Sequence, residues 1–252
     1  MNYALVGRGR MGRAVERLAA ERGHRLALVV DPAPGDGAPT APSVARADFT
    51  GIDLAFEFTL PGEAAGNVEA LVAAGVPVVC GTTGWTPDVA LDPKAKEQGV
   101  GVVVAPNFSV GVNLFFMVVR DAAARFGAAG GYDDWILESH HRGKADAPSG
   151  TARQLAEIIA SADPRTPSVV EGNPKGRLPR QAIHVASLRV GHEPGMHTVG
   201  FDSPHDEVEL RHRLRNRDGL ALGAVLAAEW LVGRTGLYDF QPVLLDLIEK
   251  GT

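Results

Sequence analysis

Residues 1 to 31 constrain the fold more than any other stretch. Tyr3 to Val6 form a short apolar run that passes directly into Gly7-Arg8-Gly9-Arg10-Met11-Gly12, a GxGxxG turn. Met11, Val15 and Leu18 then recur at helical spacing, and Gly23 supplies a stop. A second apolar run, Leu26 to Val30, ends at Asp31. Strand, glycine turn, helix, strand and acid in this order form the pattern of a dinucleotide site. The glycines let the backbone approach a pyrophosphate at a helix N-terminus, and the carboxylate accepts from the adenosine ribose hydroxyls. A tight turn without a ligand is the plainer alternative, and the flanking strand and helix weigh against it.

The alternation continues. Residues 32 to 50 are rich in Pro, Gly and Ala and predict a loop with little regular structure. Ile52 to Phe58 is a third apolar run, followed by Thr59-Leu60-Pro61. Pro61 suits the first turn of a helix through Asn67, Val68 and Leu71 to Ala74. Val76 to Cys80 predicts a fourth strand, ending in Gly81-Thr82-Thr83-Gly84. Gly101 to Ala105 predicts a fifth, followed by Pro106-Asn107-Phe108-Ser109. Strands alternating with helices predict a parallel sheet, with ligands beyond the carboxyl ends of the strands. That rule puts Thr59, Gly81, Thr82 and Thr83 beside a cofactor, although singly each also fits ordinary loop chemistry.

The second half has another pattern. A helix from about Gly111 to Phe126, ended by Gly127 to Gly131, is the candidate passage between domains. Strand-like runs follow at Asp134 to Leu137, His184 to Arg189, His197 to Phe201 and Glu207 to Leu214. One clear helix, Ser149 to about Ala162, lies among them. In the last run Val208, Leu210, His212 and Leu214 alternate with charged residues, as in a half-buried strand. Residues 163 to 181 predict an excursion loop. Helical spacing returns at Leu222, Val225, Leu226 and Trp230, and a last helix is expected near Gln241 to Glu249. These two helices are expected to pack on the first domain. The expected division is 1–108 with 218–252 as the dinucleotide domain, and 109–217 as a smaller domain.

Glu138 to Ala152, ESHHRGKADAPSGTA, is the densest run of titratable groups. It reads as strand end, charged loop and helix start. The unpaired N–H groups of a helix start suit a carboxylate. Two imidazoles and an ammonium beside it suit a dicarboxylate and proton transfer. A solvated polar loop is the plainer reading, and the density of titratable groups against an anion-binding helix start weighs against it.

Composition excludes several classes. A net charge of −5 gives no basic footprint for nucleic acid or a membrane surface. The single cysteine, Cys80, excludes an intramolecular disulfide and fits a buried strand position. The N-terminus shows no secretion signal and no apolar run approaches the roughly 18 residues of a membrane span, so a cytoplasmic protein is expected. With no HExxH or CxxC, no metal site is expected, and no GxSxG elbow anchors a hydrolase.

The element ESHHRGKADAPSGTA resembles the signature of the dihydrodipicolinate (4-hydroxy-tetrahydrodipicolinate) reductase family of lysine and diaminopimelate biosynthesis. The resemblance extends through Gly7 to Gly12, Gly81 to Gly84, Ala105 to Asn113 and Gly223 to Tyr238. It implies an α/β protein with a Rossmann-like dinucleotide-binding domain and a smaller α+β open-sheet domain for substrate and oligomerisation, commonly a homotetramer. It implies NADH or NADPH as hydride source and a cyclic dicarboxylate as substrate. His140 is implied as acid/base and Lys144 as proton donor. His141, Gly150 and Thr151 are implied to hold substrate carboxylates. Gly7, Arg8, Gly9, Arg10, Met11, Gly12, Gly81, Thr82, Thr83, Ala105, Pro106, Asn107 and Phe108 are implied to line the dinucleotide, with Asp31 at its ribose. Two departures bear on the choice of nicotinamide: a glycine turn one residue shorter than in many members, and Pro32 where some members carry arginine. Asp31 favours NADH, while Arg8 and Arg10 offer cations to a 2′-phosphate. The expectation is use of both, with NADH at least equal. Another Rossmann imine reductase or amino-acid dehydrogenase, or a non-catalytic dinucleotide sensor, also fits the glycine turn. The complete His-His-x-x-Lys element argues against a sensor.

Overall fold

Short apolar runs and amphipathic helices alternate through the first 110 residues and build a parallel sheet. The computed structural model describes residues 1–33, 38–165, 168–179 and 181–251. In chain order it begins β1 (Asn2–Val6), α1 (Arg10–Glu21), β2 (Arg25–Val30), β3 (Thr40–Ala41), β4 (Leu54–Glu57) and α2 (Pro61–Ala73). There follow β5 (Val78–Cys80), α3 (Leu91–Glu97), β6 (Gly101–Val104), α4 (Val110–Ala129), β7 (Asp133–His140) and α5 (Gly150–Ala162). The chain continues β8 (Ser168–Glu171), β9 (Ala182–Arg189), β10 (Met196–Asp202) and β11 (Glu207–Arg213). It ends with α6 (Asp218–Leu231), β12 (Gly236–Asp239) and α7 (Phe240–Glu249). No helix among the described residues is long and apolar enough to cross a membrane.

The chain divides into two compact units, Met1–Val110 with Arg217–Thr252, and Gly111–Asn216. The first holds a seven-stranded sheet in the order β12-β6-β5-β4-β1-β2-β3, with every pairing parallel. Its central strands β1, β4, β5 and β6 are buried along nearly their whole length and therefore read as near-continuous apolar runs. Parallel strands bring all their carboxyl ends to one edge. There the loops after β1 and β4 meet where the strand order reverses. They meet closely: Gly7 has φ +89°, and a Cβ on it would lie 2.4 Å from the Phe58 carbonyl oxygen.

The second unit holds a mixed sheet, β11-β10-β7-β9-β8, with β10 antiparallel to its neighbours and β7, β9 and β8 parallel. Its core is built from α4, α5 and the sheet, through Phe116, Val119, Ile136, Leu155, Ile159 and Phe201. Gly200 leaves room for the Trp135 ring, which a Cβ there would meet at 2.1 Å. The α/β class, with a Rossmann-like sheet and a second smaller sheet, agrees with the expectation.

Several local expectations need correction. The loop of residues 32 to 50 contains β3 and a 3₁₀ turn at Val44–Arg46, while residues 34–37 lie outside the described residues. The loop of 163 to 181 contains β8, which β9 recruits as a parallel edge partner. Residues 166, 167 and 180 of that loop lie outside the described residues. Helix α4 runs on to Ala129, past the expected stop at Gly127, where glycine serves close packing instead: a Cβ there would stand 2.7 Å from the Asp163 carboxyl carbon. On β11, Leu210 and His212 are half-buried as expected, but Val208 is exposed.

Asp134, at the start of β7, is 3% exposed. Among the described residues neither of its carboxylate oxygens has a hydrogen-bond partner. Burial, then repulsion from Asp163, push its pKa up to about 6, with Arg165 opposing. A carboxyl raised in the folded state leaves stability intact below its unfolded pKa and removes it as pH rises through the folded value. Asp134→Asn should therefore stabilise the protein at pH 7.5 by on the order of 2–3 kcal/mol. The gain should disappear near pH 4. Urea unfolding at the two pH values checks this, and equal gains at both would contradict it.

Candidate active site

The first unit builds a dinucleotide-type cradle from its glycines. Gly9 is the N-cap of α1 and provides no side-chain cap, so the first N–H groups of the helix are left to a ligand or solvent. No atom lies within 4 Å of a Cβ placed on Gly9, whereas one on Gly12 would strike the Gly7 carbonyl oxygen at 2.2 Å. Gly9 keeps the helix start open and Gly12 lets α1 pack against the turn. Asp31 directly follows β2 and accepts from the Arg8 N–H at 2.8 Å and the Ala33 N–H at 2.9 Å. A carboxylate offers about four lone-pair sites, so capacity remains for ribose hydroxyls. These features fit a pyrophosphate and a ribose.

The two arginines of the turn behave differently. The Arg8 guanidinium is held by Glu16, Nε to Oε2 at 2.9 Å and Nη2 to Oε1 at 2.7 Å. Arg10 is exposed, as is Gly9, and Met11 is half-buried.

Glu57, an acid at the end of an apolar run and without a sequence signature, is fully buried at the end of β4. It accepts from Thr82 Oγ1 at 2.6 Å, Cys80 Sγ at 3.1 Å, Asn67 Nδ2 and Thr59 Oγ1. Thr82 Oγ1 in turn accepts from the Thr59 N–H at 2.8 Å. The loops after β4 and β5 are thereby locked together, and Gly81 fits because the Phe58 ring occupies the space of a Cβ. Burial, and the Glu57 carboxyl beside it, push the Cys80 thiol up, which removes it as a nucleophile. Thr83 is exposed. After β6, Ala105 and Phe108 are buried and Pro106 is exposed; the Asn107 carboxamide accepts from the Ser109 N–H at 2.8 Å. The Phe108 ring packs on Phe240, so only its backbone is available to a ligand at this edge.

The second unit holds the charged loop. Strand β7 extends three residues beyond the expected Leu137, because β9 and β10 pair with it through Ser139 and, on β9, His140. Glu138 and His140 therefore stand on the strand rather than in the loop. Both have buried side chains. The His140 Nδ1 and a Glu138 oxygen form a short hydrogen bond. Arg189, the last residue of β9, grips the same carboxylate from Nη2 at 2.8 Å and Nη1 at 3.1 Å. Arg189 also donates to the backbone carbonyls of Lys144 and Asp146, which ties the loop to the sheet.

Burial alone would raise the Glu138 carboxyl, but its bonds to Arg189 and His140 outweigh burial and hold it below the usual carboxylate range. Burial lowers the His140 imidazole, aided by Lys144 and Arg189, while Glu138 opposes. An ionised Glu138 accepts the Nδ1 proton, which leaves Nε2 as the basic nitrogen. Gly195 backs onto that nitrogen: a Cβ there would lie 3.1 Å from Nε2.

Lys144 pairs with Asp146 at 2.7 Å, and His141 is exposed. Gly150 and Thr151 open α5. Ser149 is its N-cap, accepting from the Ala152 N–H at 3.2 Å and bonded to His197 Nε2 at 3.0 Å. The fold thus brings His140, Lys144 and the α5 start around one loop. Glu138 was in view in the sequence but had no role there, and Arg189 and His197 were missed. Only a paired-strand register could have found them, since both lie far along the chain.

A glycine turn, a helix start without a side-chain cap and an acid after the second strand fit a dinucleotide. An imidazole fixed in one tautomer suits proton transfer. Together they place the chain among the nicotinamide-dependent oxidoreductases. Comparison with known proteins narrows that class. Residues 1–108 match the model for the N-terminal part of dihydrodipicolinate reductase, and residues 111–244 match its C-terminal part. A 4-hydroxy-tetrahydrodipicolinate reductase of Christiangramia forsetii is 34% identical, covering 99% of this chain and 100% of the relative. One from Myxococcus xanthus is 36% identical over 94% of each chain. A dipicolinate-bound dihydrodipicolinate reductase from Paenisporosarcina sp. TG-14 superposes with a TM-score of 0.79 at 25% identity, covering 95% of this chain and 97% of that one. The chain belongs to the dihydrodipicolinate reductase family and is an NAD(P)H-dependent oxidoreductase of lysine and diaminopimelate biosynthesis.

In Glu138→Gln the negative charge that favours a protonated His140 is lost, although an amide oxygen can still accept from Nδ1. The His140 pKa should fall further below the ordinary imidazole value, because burial then acts without that opposing charge. An NMR titration of the ring against wild type checks this, and an upward shift would contradict it.

Proposed function

We propose that the chain reduces 4-hydroxy-tetrahydrodipicolinate to tetrahydrodipicolinate, with His140 and Lys144 as its proton-handling groups. The observation that carries the assignment of roles is the Glu138–His140 bond, which directs a basic Nε2 away from the buried carboxylate. When bound, the nicotinamide supplies hydride to the unsaturated ring. The chain's own residues do the rest. The α5 start at Gly150 and Thr151, with His141 and Lys144, binds the carboxylates through N–H groups and positive charge. The Lys144 ammonium and the His140 imidazole manage the proton that leaves with water and the proton that returns to carbon. In the first unit, Gly7 to Gly12, Asp31, Gly81 to Thr83 and the backbone of Ala105 to Phe108 hold the dinucleotide. Use of NADH at least as readily as NADPH is supported by Asp31 and by the engagement of Arg8 with Glu16. A cytoplasmic homotetramer without a resident metal belongs to the same reading.

His140→Gln and Lys144→Ala should each lower turnover by roughly 10²–10⁴-fold, the contribution of a positioned acid or base. Dinucleotide affinity, read by calorimetry, should stay within about twofold, since both residues lie in the second unit. Near wild-type turnover in both variants at saturating substrate would overturn the roles.

Dipicolinate should compete with substrate. Thr151→Val removes a hydroxyl at the α5 start and should weaken dipicolinate binding by about tenfold, one hydrogen bond to a charged group. Calorimetric titration of inhibitor into both proteins decides it. Unchanged affinity would remove Thr151 from the carboxylate site.

A further inference from the structure

Glu16 takes no part in the proton and hydride chemistry, yet it engages Arg8, a cation of the glycine turn whose backbone N–H donates to Asp31. The Arg8 N–H donates to Asp31 Oδ2 at 2.8 Å, which pins Arg8 beside the acid that faces the ribose. From there its side chain turns back along α1. Glu16, on α1, takes Nε and Nη2 in a two-point grip. The pair is half-buried, with side-chain exposures of 13% and 26%. It lies close enough to the buried Tyr3 hydroxyl that burial, then the Glu16 charge, push that phenol up to about 12, with Arg8 opposing. A pair shielded in this way is screened less by salt than an exposed one.

NADH and NADPH differ by a single group, the 2′-phosphate on the adenosine ribose. A guanidinium recognises that phosphate through the same fork of N–H donors with which it recognises a carboxylate. Carboxylate and phosphate therefore compete for one face of Arg8. We propose that Glu16 is a specificity-determining residue: by engaging the Arg8 guanidinium it withholds one of the two cations that the glycine turn could offer a 2′-phosphate, and so shifts the chain's preference toward NADH. Asp31 adds repulsion of the phosphate, but Asp31 acts on the ribose directly, whereas Glu16 acts through Arg8. The inference rests on the dinucleotide reading of the first unit.

The test is equilibrium binding of NADH and NADPH by calorimetry, without substrate. It compares wild type, Glu16→Gln, Glu16→Ala, Arg8→Ala and the double variant Glu16→Gln/Arg8→Ala, each checked for folding by thermal melting. Both Glu16 variants should tighten NADPH by about tenfold, the worth of a freed charge-assisted contact, while NADH changes by less than about twofold. Two variants of different size guard against one failing to fold. In the double variant the NADPH gain should vanish, which a merely structural role for Glu16 would not produce. In the wild-type background Arg8→Ala should change both affinities by the same factor. Unchanged NADPH-to-NADH ratios in the Glu16 variants, or a selective loss of NADPH in Arg8→Ala alone, would overturn the proposal. A wild type that binds neither dinucleotide would overturn the cofactor reading, and this inference with it.

Discussion

The buried Glu138 carboxylate is the interaction on which the second unit depends. A carboxylate removed from water carries a desolvation cost of several kcal/mol unless charge and hydrogen bonds replace the solvent. Here the replacements come from both near and far along the chain. Arg189 arrives on the parallel neighbour β9, His140 from two residues along the same strand, and the Ser149 N–H from the start of α5 at 3.2 Å. Each donor is an element boundary. Satisfying one carboxylate therefore fixes where β7 ends, where β9 ends, how the charged loop is tied down and where α5 begins. The imidazole tautomer follows from the same requirement.

The first unit solves a parallel problem with different chemistry. Glu57 is also fully buried at the carboxyl end of a central strand, but its partners are a thiol, two hydroxyls and a carboxamide. Among the described residues its hydrogen-bond donors include no cation. Its effect is mechanical: through Thr82 and Thr59 it joins the loops after β4 and β5, the edge where a parallel sheet receives ligands. Glu138 sets protonation, and Glu57 sets loop geometry.

The legible parts of this chain were those with strong local patterns. Val-rich strands buried on both faces, the glycine turn and the amphipathic α1 and α5 are local features, and their placement followed from local rules. What escaped was set by pairing. β12, Gly236 to Asp239, begins with a glycine and is only four residues long; it is a strand because β6 offers an unpaired edge. β8 has largely exposed side chains and pairs for the same reason. α3 is a single short helix of seven residues, whose charged LDPKAKE sequence shows no clear apolar stripe. At the site, the motif displayed His140 and Lys144. Arg189 looked like any strand-end arginine until the register of β7 and β9 set it opposite His140.

The same logic explains a polar group that looks wasteful. His197 on β10 is buried, with its ring 5.2 Å from His140, and its Nδ1 has no partner among the described residues. Burial, then the neighbouring His140, push its pKa down to about 3. An imidazole with an unmatched nitrogen in the interior costs roughly 1–3 kcal/mol. Two adjacent imidazoles of equal pKa would share a proton, and neither would offer a defined acid or base. Burying one far more deeply separates their titrations, which is how paired groups acquire distinct roles. His197 stays neutral and anchors the α5 cap through Ser149, so any proton held by the pair resides on His140.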